Sequence, residues 1–352
     1  MKVIRIIQHY WTSALACFIL LLITACNDND DDTTSGVISE YESNKNIVRV
    51  NVVNMATGLK ATFADLIPNL DDRIALTQAM VSDTRFFPDD SGYFFVETLE
   101  DATVIAHIYD TWIGTSRCDA QDLNGKYHVQ EMIDTVEHIG FGFISYYFTN
   151  PATDEPADKL SFVTGIEVNG TNDSDDTDNC VGTDDTTPND NLPWFIGAGL
   201  YNDGINNLLY VNDANKTLVM DVTTTLSEAF SAVFNDIYTQ ESDQITFSQI
   251  FINYIRFFED QSGYFFILDD AGTVISHGTD DTLEGEDMWN LQDSTGDYFI
   301  QGLIQTAQEN AGGGFYQYYW ANPSTGADEE KTTFIIAIPG TDYFIAAGVY
   351  QH

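Results

Sequence analysis

An internal repeat limits the folding options of this chain more than any other feature. Arg85-Phe86-Phe87-Pro88-Asp89-Asp90-Ser91-Gly92-Tyr93-Phe94-Phe95-Val96 returns, without a gap and 171 residues later, as Arg256-Phe257-Phe258-Glu259-Asp260-Gln261-Ser262-Gly263-Tyr264-Phe265-Phe266-Ile267. The parallel continues in order. Thr103–His107 matches Thr273–His277, Gly142–Phe148 matches Gly314–Trp320, and Asn150-Pro151 matches Asn322-Pro323. Lys159 and Phe162 then match Lys331 and Phe334, and Trp194–Tyr201 closes the first copy as Tyr343–Tyr350 closes the second. Ordered matches in one register mean a duplicated domain, so both copies must fold alike.

Each copy reads as helix followed by a strand meander. Apolar periodicity runs from about Val37 to Met80, broken near Pro68, and again from Leu218 to Tyr254, where Leu226, Phe230 and Phe234 share a helical face. The aromatic and β-branched run from Gly92 to Val96 predicts a strand after the turn Asp89-Asp90-Ser91-Gly92. In the second copy Asp269-Asp270-Ala271-Gly272 predicts a hairpin between Tyr264–Leu268 and Thr273–His277. A helix over Tyr298–Glu309 stops at Gly312-Gly313-Gly314, and strands follow at Phe315–Trp320, Thr332–Ile338 and Tyr343–Val349. The expected architecture is α+β: two tandem modules, each a five-stranded antiparallel sheet with helices on one side.

The amino-terminal end carries an export pattern. Lys2 and Arg5 precede an apolar run from Ala14 to Ile23, and the chain turns acidic after Cys26. The ending Leu22-Ile23-Thr24-Ala25-Cys26 resembles the lipobox of bacterial lipoproteins, which implies acylation of Cys26 and a membrane anchor made of lipid alone. The divisions are a signal over 1–26, a polar tether over 27–36, and modules over 37–203 and 206–351. Asn27 after the cysteine suggests the outer membrane, on its periplasmic face or at the cell surface. Without a second apolar span or an output domain, signalling across a membrane by this chain alone is not expected. Cleavage at Cys26 removes two of 13 basic side chains and none of the 55 acidic ones. A chain so acidic repels nucleic acid and anionic surfaces.

At the repeated motifs the chain resembles the single Cache family of extracellular sensor domains, whose modules are PAS-like. The resemblance rests on the arginine-led "GYFF" strand, the "GTVxxH" hairpin, an "LxGxx" segment, the glycine-aromatic strand with its Asn-Pro turn, and the closing "GxY" strand. Leu283-Glu284-Gly285 supplies "LxGxx" in the second copy. In the first, Leu123-Asn124-Gly125 lies ten residues further from the histidine. The resemblance implies a pocket over the sheet for a small metabolite, often a short carboxylic acid. Output would come from a separate chemoreceptor, sensor kinase or transporter.

Charge arithmetic points to the same place independently. After Lys216 the only basic side chains are Arg256 and Lys331, and each has a counterpart, Arg85 and Lys159. Isolated cations at repeated positions suit a carboxylate ligand, although a helix cap or a solubilising strand residue is the plainer alternative. Tyr93 and Phe95, like Tyr264 and Phe266, share one strand face and are candidates to line the pocket. His107 and His277 end the neighbouring strand, and Tyr147 and Trp320 are candidate walls. With one such histidine per copy and no cysteine or histidine at ligand spacing, neither a metal nor a cofactor is expected. No nucleophile, phosphate loop or repeated acid pair suggests a catalytic residue.

The first copy differs by two apparent insertions, Ile108–Gln121 with Cys118 and Asn169–Asn191 with Cys180. Once Cys17 and Cys26 are set aside these two cysteines remain, and a disulfide between them is expected in an oxidising compartment. It would be worth nominally about 4 kcal/mol for a loop of roughly sixty residues. The second copy follows the family pattern more closely and is the better candidate for binding. The competing expectation is a structural or adhesion-type surface protein whose pockets are vestigial.

Overall fold

The computed structural model describes residues 36–166, 194–202 and 207–351. The signal, Cys26, the tether up to residue 35 and the Asn169–Asn191 segment with Cys180 lie outside them. The first module comprises β1 (Val37–Ser39), α1 (Glu40–Asp65), α2 (Leu70–Val81), β2 (Arg85–Phe86), β3 (Gly92–Thr98) and β4 (Val104–Ala106). It continues through α3 (His128–Ile139), β5 (Phe141–Asn150), β6 (Glu155–Ile166) and β7 (Trp194–Tyr201). The second comprises β8 (Leu208–Tyr210), α4 (Val211–Asp236), α5 (Glu241–Asn253), β9 (Phe265–Asp269) and β10 (Val274–His277), then α6 (Phe299–Glu309), β11 (Gly314–Ala321), β12 (Asp328–Ala337) and β13 (Tyr343–Tyr350).

Local chemistry explains these boundaries. The Ser39 hydroxyl caps α1 by accepting from the Glu42 amide at 3.2 Å, and Asn69 caps α2 by accepting from the Asp72 amide at 2.9 Å. Pro68 falls in the break between the two helices. In the arginine-led motif, Gly92 and Gly263 are required by packing. A β-carbon at either would stand 2.2–2.3 Å from the ring of Phe86 or Phe257, which folds back over the strand start.

Both sheets are antiparallel throughout. The second runs β10-β9-β13-β12-β11; the first has the same core, with β2 and β4 both pairing β3. Along β3, Phe94 and Val96 belong to the core beneath α1 and α2, whereas Tyr93 and Phe95 belong to a second cluster beneath α3. Helices therefore cover both faces of each sheet, which corrects the one-sided arrangement expected from sequence. The cause is the short third helix. Val129, Met132, Ile133 and Val136 form one buried stripe on α3, as do Phe299, Ile300, Leu303, Ile304 and Ala307 on α6.

The two copies share one core, which runs from Ile47 through Phe94 to Phe230, Phe251 and Phe334. Helix α1 lies on β6 and β7 of its own sheet but takes α5 and α4 as helix neighbours, while α4 lies on β12 and β13 and meets α2. Gly58 permits the close α1–α5 approach, since a β-carbon there would stand 2.2 Å from the Phe251 ring. Asn51 of α1 donates to Asp221 of α4 at 2.7 Å, and the other Asp221 oxygen accepts from the Phe87 amide at 3.3 Å. Strands β1 and β8 pair antiparallel with Ile38 opposite Leu209, its own repeat counterpart. That self-matching register is the signature of a two-fold relation.

The expected insertion at Ile108–Gln121 is absent. The turn Asp110–Trp112 with Gly114 corresponds to Asp281–Leu283 with Gly285, and both glycines have positive φ. The LxGxx counterpart is thus Trp112-Ile113-Gly114, with Trp in place of Leu, and Gly125 corresponds instead to Gly296. The second difference is a matter of chain length: 27 residues separate Ile166 from Trp194, where five separate Ala337 from Tyr343.

Candidate functional site

Each module buries a lysine in the middle of its sheet. Lys159 on β6 lies opposite Tyr146 on β5 and Tyr201 on β7, and Lys331 lies opposite Tyr318 and Tyr350. Both are fully buried, at 1 % and 0 % exposure, and neither ammonium has a hydrogen-bond partner. Aromatic rings surround them instead. Lys159 Nζ is 3.7 Å from the centre of the Tyr93 ring, 5.1 Å from Tyr201, 5.4 Å from Phe148 and 5.8 Å from Phe95 and Tyr146. Lys331 Nζ is 3.9 Å from Tyr264, 5.2 Å from Tyr350 and 5.3 Å from Phe266.

Ring faces attract a cation but cannot replace its hydrogen bonds. Burial accordingly lowers the pKa of both lysines. Nearby Arg117 lowers that of Lys159 further, while Tyr264 partly opposes the shift at Lys331. The closing "GxY" motif makes room for the cation. Gly199 and Gly348 leave space for the lysine stems, and Tyr201 and Tyr350 donate to the Thr149 and Ala321 carbonyls at 2.7 and 2.8 Å.

The histidines stand beside the same rings, His107 edge-on to Tyr93 at 5.6 Å and His277 against Tyr264 at 5.1 Å. Burial, then the neighbouring lysine, lowers the His107 pKa to about 2 and that of His277 to about 3. Both imidazoles are neutral at physiological pH. Nδ1 of His107 accepts from the Tyr109 amide at 3.0 Å and that of His277 from the Asp280 amide at 3.1 Å. This leaves the ring proton on Nε2, as a donor.

The predicted lysine, histidine and strand aromatics thus come together in each copy. Trp320 joins them by packing on Phe299 at 5.4 Å. Arg85 and Arg256 are engaged elsewhere. The Arg85 guanidinium donates to the Ser82 and Thr84 carbonyls after α2 at 2.8 and 2.9 Å. Arg256 donates to the Asn253 and Ile255 carbonyls after α5, at 3.1 and 2.6 Å, and to the Gly278 carbonyl. Tyr147 faces away from its neighbours Tyr146 and Phe148, and it is these two that line the first cavity.

The same cavity is lined by three polar residues that sequence reasoning missed, Glu97, Arg117 and His128, and it measures about 10 Å³. Period-two alternation from Tyr93 and Phe95 would have found Glu97. Cys118 is buried among the same cluster. Among the described residues no helix is long and apolar enough to cross a membrane, and no group of histidine, cysteine and acidic side chains is placed to hold a metal ion.

A buried lysine ringed by aromatic side chains on a helix-covered antiparallel sheet occurs twice in the chain. The family Single Cache domain 2 matches residues 28–170 and again 210–352, and the chain belongs to that family. It is 38% identical over 90 residues to the sensor histidine kinase MctS of Rhizobium johnstonii, a match covering 26% of this chain and 19% of that protein. The chain thus spans about a fifth of that relative's length.

Among solved structures it is similar to a methyl-accepting chemotaxis protein of Vibrio parahaemolyticus, with 25% identity, a TM-score of 0.33, and coverage of 40% of this chain and 90% of that one. It is also similar to a Cache chemosensory domain described as recognising carboxylic acids, with 21% identity, a TM-score of 0.36 and coverage of 40% and 97%. A third is the extracellular domain of the histidine kinase mmHK1S-Z3, with 12% identity, a TM-score of 0.23 and 88% of each chain covered.

Proposed function

We propose that this is an extracytoplasmic, lipid-anchored protein that binds small carboxylates and acts with a separate signalling or transport partner. One observation carries the reading. Each module holds a fully buried lysine whose Nζ has no hydrogen-bond partner of ordinary geometry, inside an aromatic wall and beside a histidine able to donate. A carboxylate is the group that satisfies both donors at once, because a charge-assisted bond offsets the cost of a buried, unpaired cation. Both modules meet this condition, so both are assigned a ligand. The solved Cache domain described as recognising carboxylic acids agrees with the choice of ligand class.

The test is thermal stabilisation. A ligand of the native state raises Tm by mass action, so acetate, propionate and pyruvate at matched ionic strength should raise it. Lys159→Met and Lys331→Met should each remove part of the response. A structural role with closed pockets is the second reading. The observation in its favour is the first cavity, whose volume of about 10 Å³ admits a single water at most. Under that reading no small acid shifts Tm.

We assign Cys26 as the acylated residue and Cys118–Cys180 as a disulfide outside the membrane. Palmitate labelling lost in Cys26→Ser checks the first. A peptide pair linked before reduction and separated after it checks the second. Placement at the outer membrane is checked by fractionation.

A further inference from the structure

We propose that the β1–β8 ribbon rests on a lipid surface, its outward face seated among the headgroups of the bilayer that holds acylated Cys26. This deepens the lipid-anchored reading and rests on it. Cross-strand partners in an antiparallel pair share a face, and the faces alternate along each strand. Val37 lies opposite Tyr210 and Ser39 opposite Leu208, so these four share one face, while Ile38 and Leu209 take the other. Ile38 and Leu209 are half-buried, whereas Val37, Leu208 and Tyr210 are 57, 71 and 59 % exposed. Leu208 is the most exposed large apolar side chain among the described residues.

Single apolar residues on a surface are ordinary, but three on one face of a two-stranded ribbon mark a contact surface. The ribbon is fastened at the starts of α1 and α4. There the Glu40 amide donates to the Asn207 carbonyl at 2.8 Å, and the Val211 amide donates to the Gly36 carbonyl at 2.9 Å.

Two observations favour lipid over a protein partner. The first is covalent reach. Gly36 comes ten residues after Cys26, at most about 35 Å of extended chain. An acyl group on Cys26 therefore keeps the ribbon near the bilayer whatever path the intervening residues take. The second is charge. The whole chain carries 55 acidic side chains against 13 basic ones, yet residues 36–45 and 207–216 hold Glu40, Glu42 and Asp213 against Lys45 and Lys216. Glu42 pairs with Lys45 at 3.0 Å, and Glu40 accepts from the Asn207 side chain at 2.8 Å. This end of the protein is nearly neutral, and a tyrosine among aliphatic side chains suits the boundary between water and acyl chains.

Three side chains are too few to bring the protein to a membrane alone. The anchor makes their contact intramolecular, at an effective concentration set by the linking segment. The consequence is orientation. Because Ile38 and Leu209 are repeat counterparts, a ribbon lying on the surface sets both modules symmetrically above it.

The experiment uses the full acylated protein on phosphatidylcholine vesicles, with and without acyl chains brominated near the headgroup. Leu208→Trp reports contact through the tryptophan emission it adds to wild type. Tyr254→Trp is the control. Tyr254 is 63 % exposed but follows Phe251, which meets Gly58, about 27 Å along α1 from Glu40. The expected result is that brominated lipid removes most of the emission added by Leu208→Trp and none of that added by Tyr254→Trp. Val37→Asp with Tyr210→Asp in the same chain should cancel the quenching while the protein still sediments with the vesicles.

Vesicle-bound protein whose Leu208→Trp emission ignores brominated lipid overturns this inference and leaves the anchor intact. Burial of that tryptophan without vesicles, in a protein that sediments as a dimer, overturns it in favour of a second copy of the chain. Wild type that binds vesicles no better than Cys26→Ser overturns the anchor and this inference together.

Discussion

A β-carbon on Gly348 would stand 2.6 Å from Cε of Lys331, and one on Gly199 would stand 2.5 Å from Cε of Lys159. In each copy the glycine of the closing strand is the space into which the lysine stem extends. Gly348→Ala is therefore expected to displace the ammonium and cost about 1–3 kcal/mol through overpacking. It should also abolish stabilisation of the second site by its acid. Urea denaturation and ligand titration of the same variant check the two effects together.

Lys331→Met and Lys159→Met should act in opposite directions on stability and binding. Each removes a buried, unpaired ammonium, so the ligand-free protein should become more stable, by about 1–3 kcal/mol. The response to carboxylates should disappear at that site. Denaturation midpoints with and without propionate measure both. A variant less stable than wild type would show that the lysine is held by something other than a missing ligand.

His277 titrates at about 3 in the folded protein, because of burial and then Lys331, against about 6.5 when unfolded. Between those values the unfolded chain holds a proton that the native state lacks. The stability of wild type relative to His277→Gln should therefore fall as pH drops from about 6.5 to 3, then level off. Glu97 works in reverse. Burial raises its folded pKa to about 7, so its contribution is present below about 4.3 and is lost as pH rises through 7. Unfolding titrations of the paired variants separate the two.

Gly58→Ala should break the junction between the copies rather than either pocket. Its new methyl group would meet the Phe251 ring at 2.2 Å, costing about 1–3 kcal/mol. Phe251→Leu in the same chain should recover part of that loss, because the clash is with the ring. A double-mutant cycle read by thermal unfolding measures the coupling.

The regular elements were legible because they depend on local signals. Periodicity and turn chemistry placed α6 and β9 through β13 within a few residues, whereas α4 and α5 were read only as one helical stretch from Leu218 to Tyr254. The lysines were legible because cations are scarce. Scarcity could not separate Lys331, whose short reach from a central strand leaves it in the core, from Arg256, whose longer fork reaches carbonyls at a helix end. Tyr147 was set beside Trp320 although the repeat register matches Trp320 to Phe148, and it is Phe148 and Tyr146, two residues apart, that share the strand face. Glu97 went unread because a lone acid in an acidic chain carries no statistical signal; alternation gives the strand face it shares with Tyr93 and Phe95, and α3 over that face supplies its burial. The supposed insertion came from matching Leu123-Asn124-Gly125 by letters, when the positive φ of Gly114 is what the turn conserves.

The antiparallel ribbon centred on Ile38 and Leu209 has a consequence for how such a tandem pair can evolve. Two separate copies meeting about this axis would be encoded once, so any change in one module would appear in the other. They would also part on dilution. Joined in a single polypeptide, the halves stay together at any concentration and can mutate independently. One molecule thereby carries two modules that can diverge while staying in fixed one-to-one proportion.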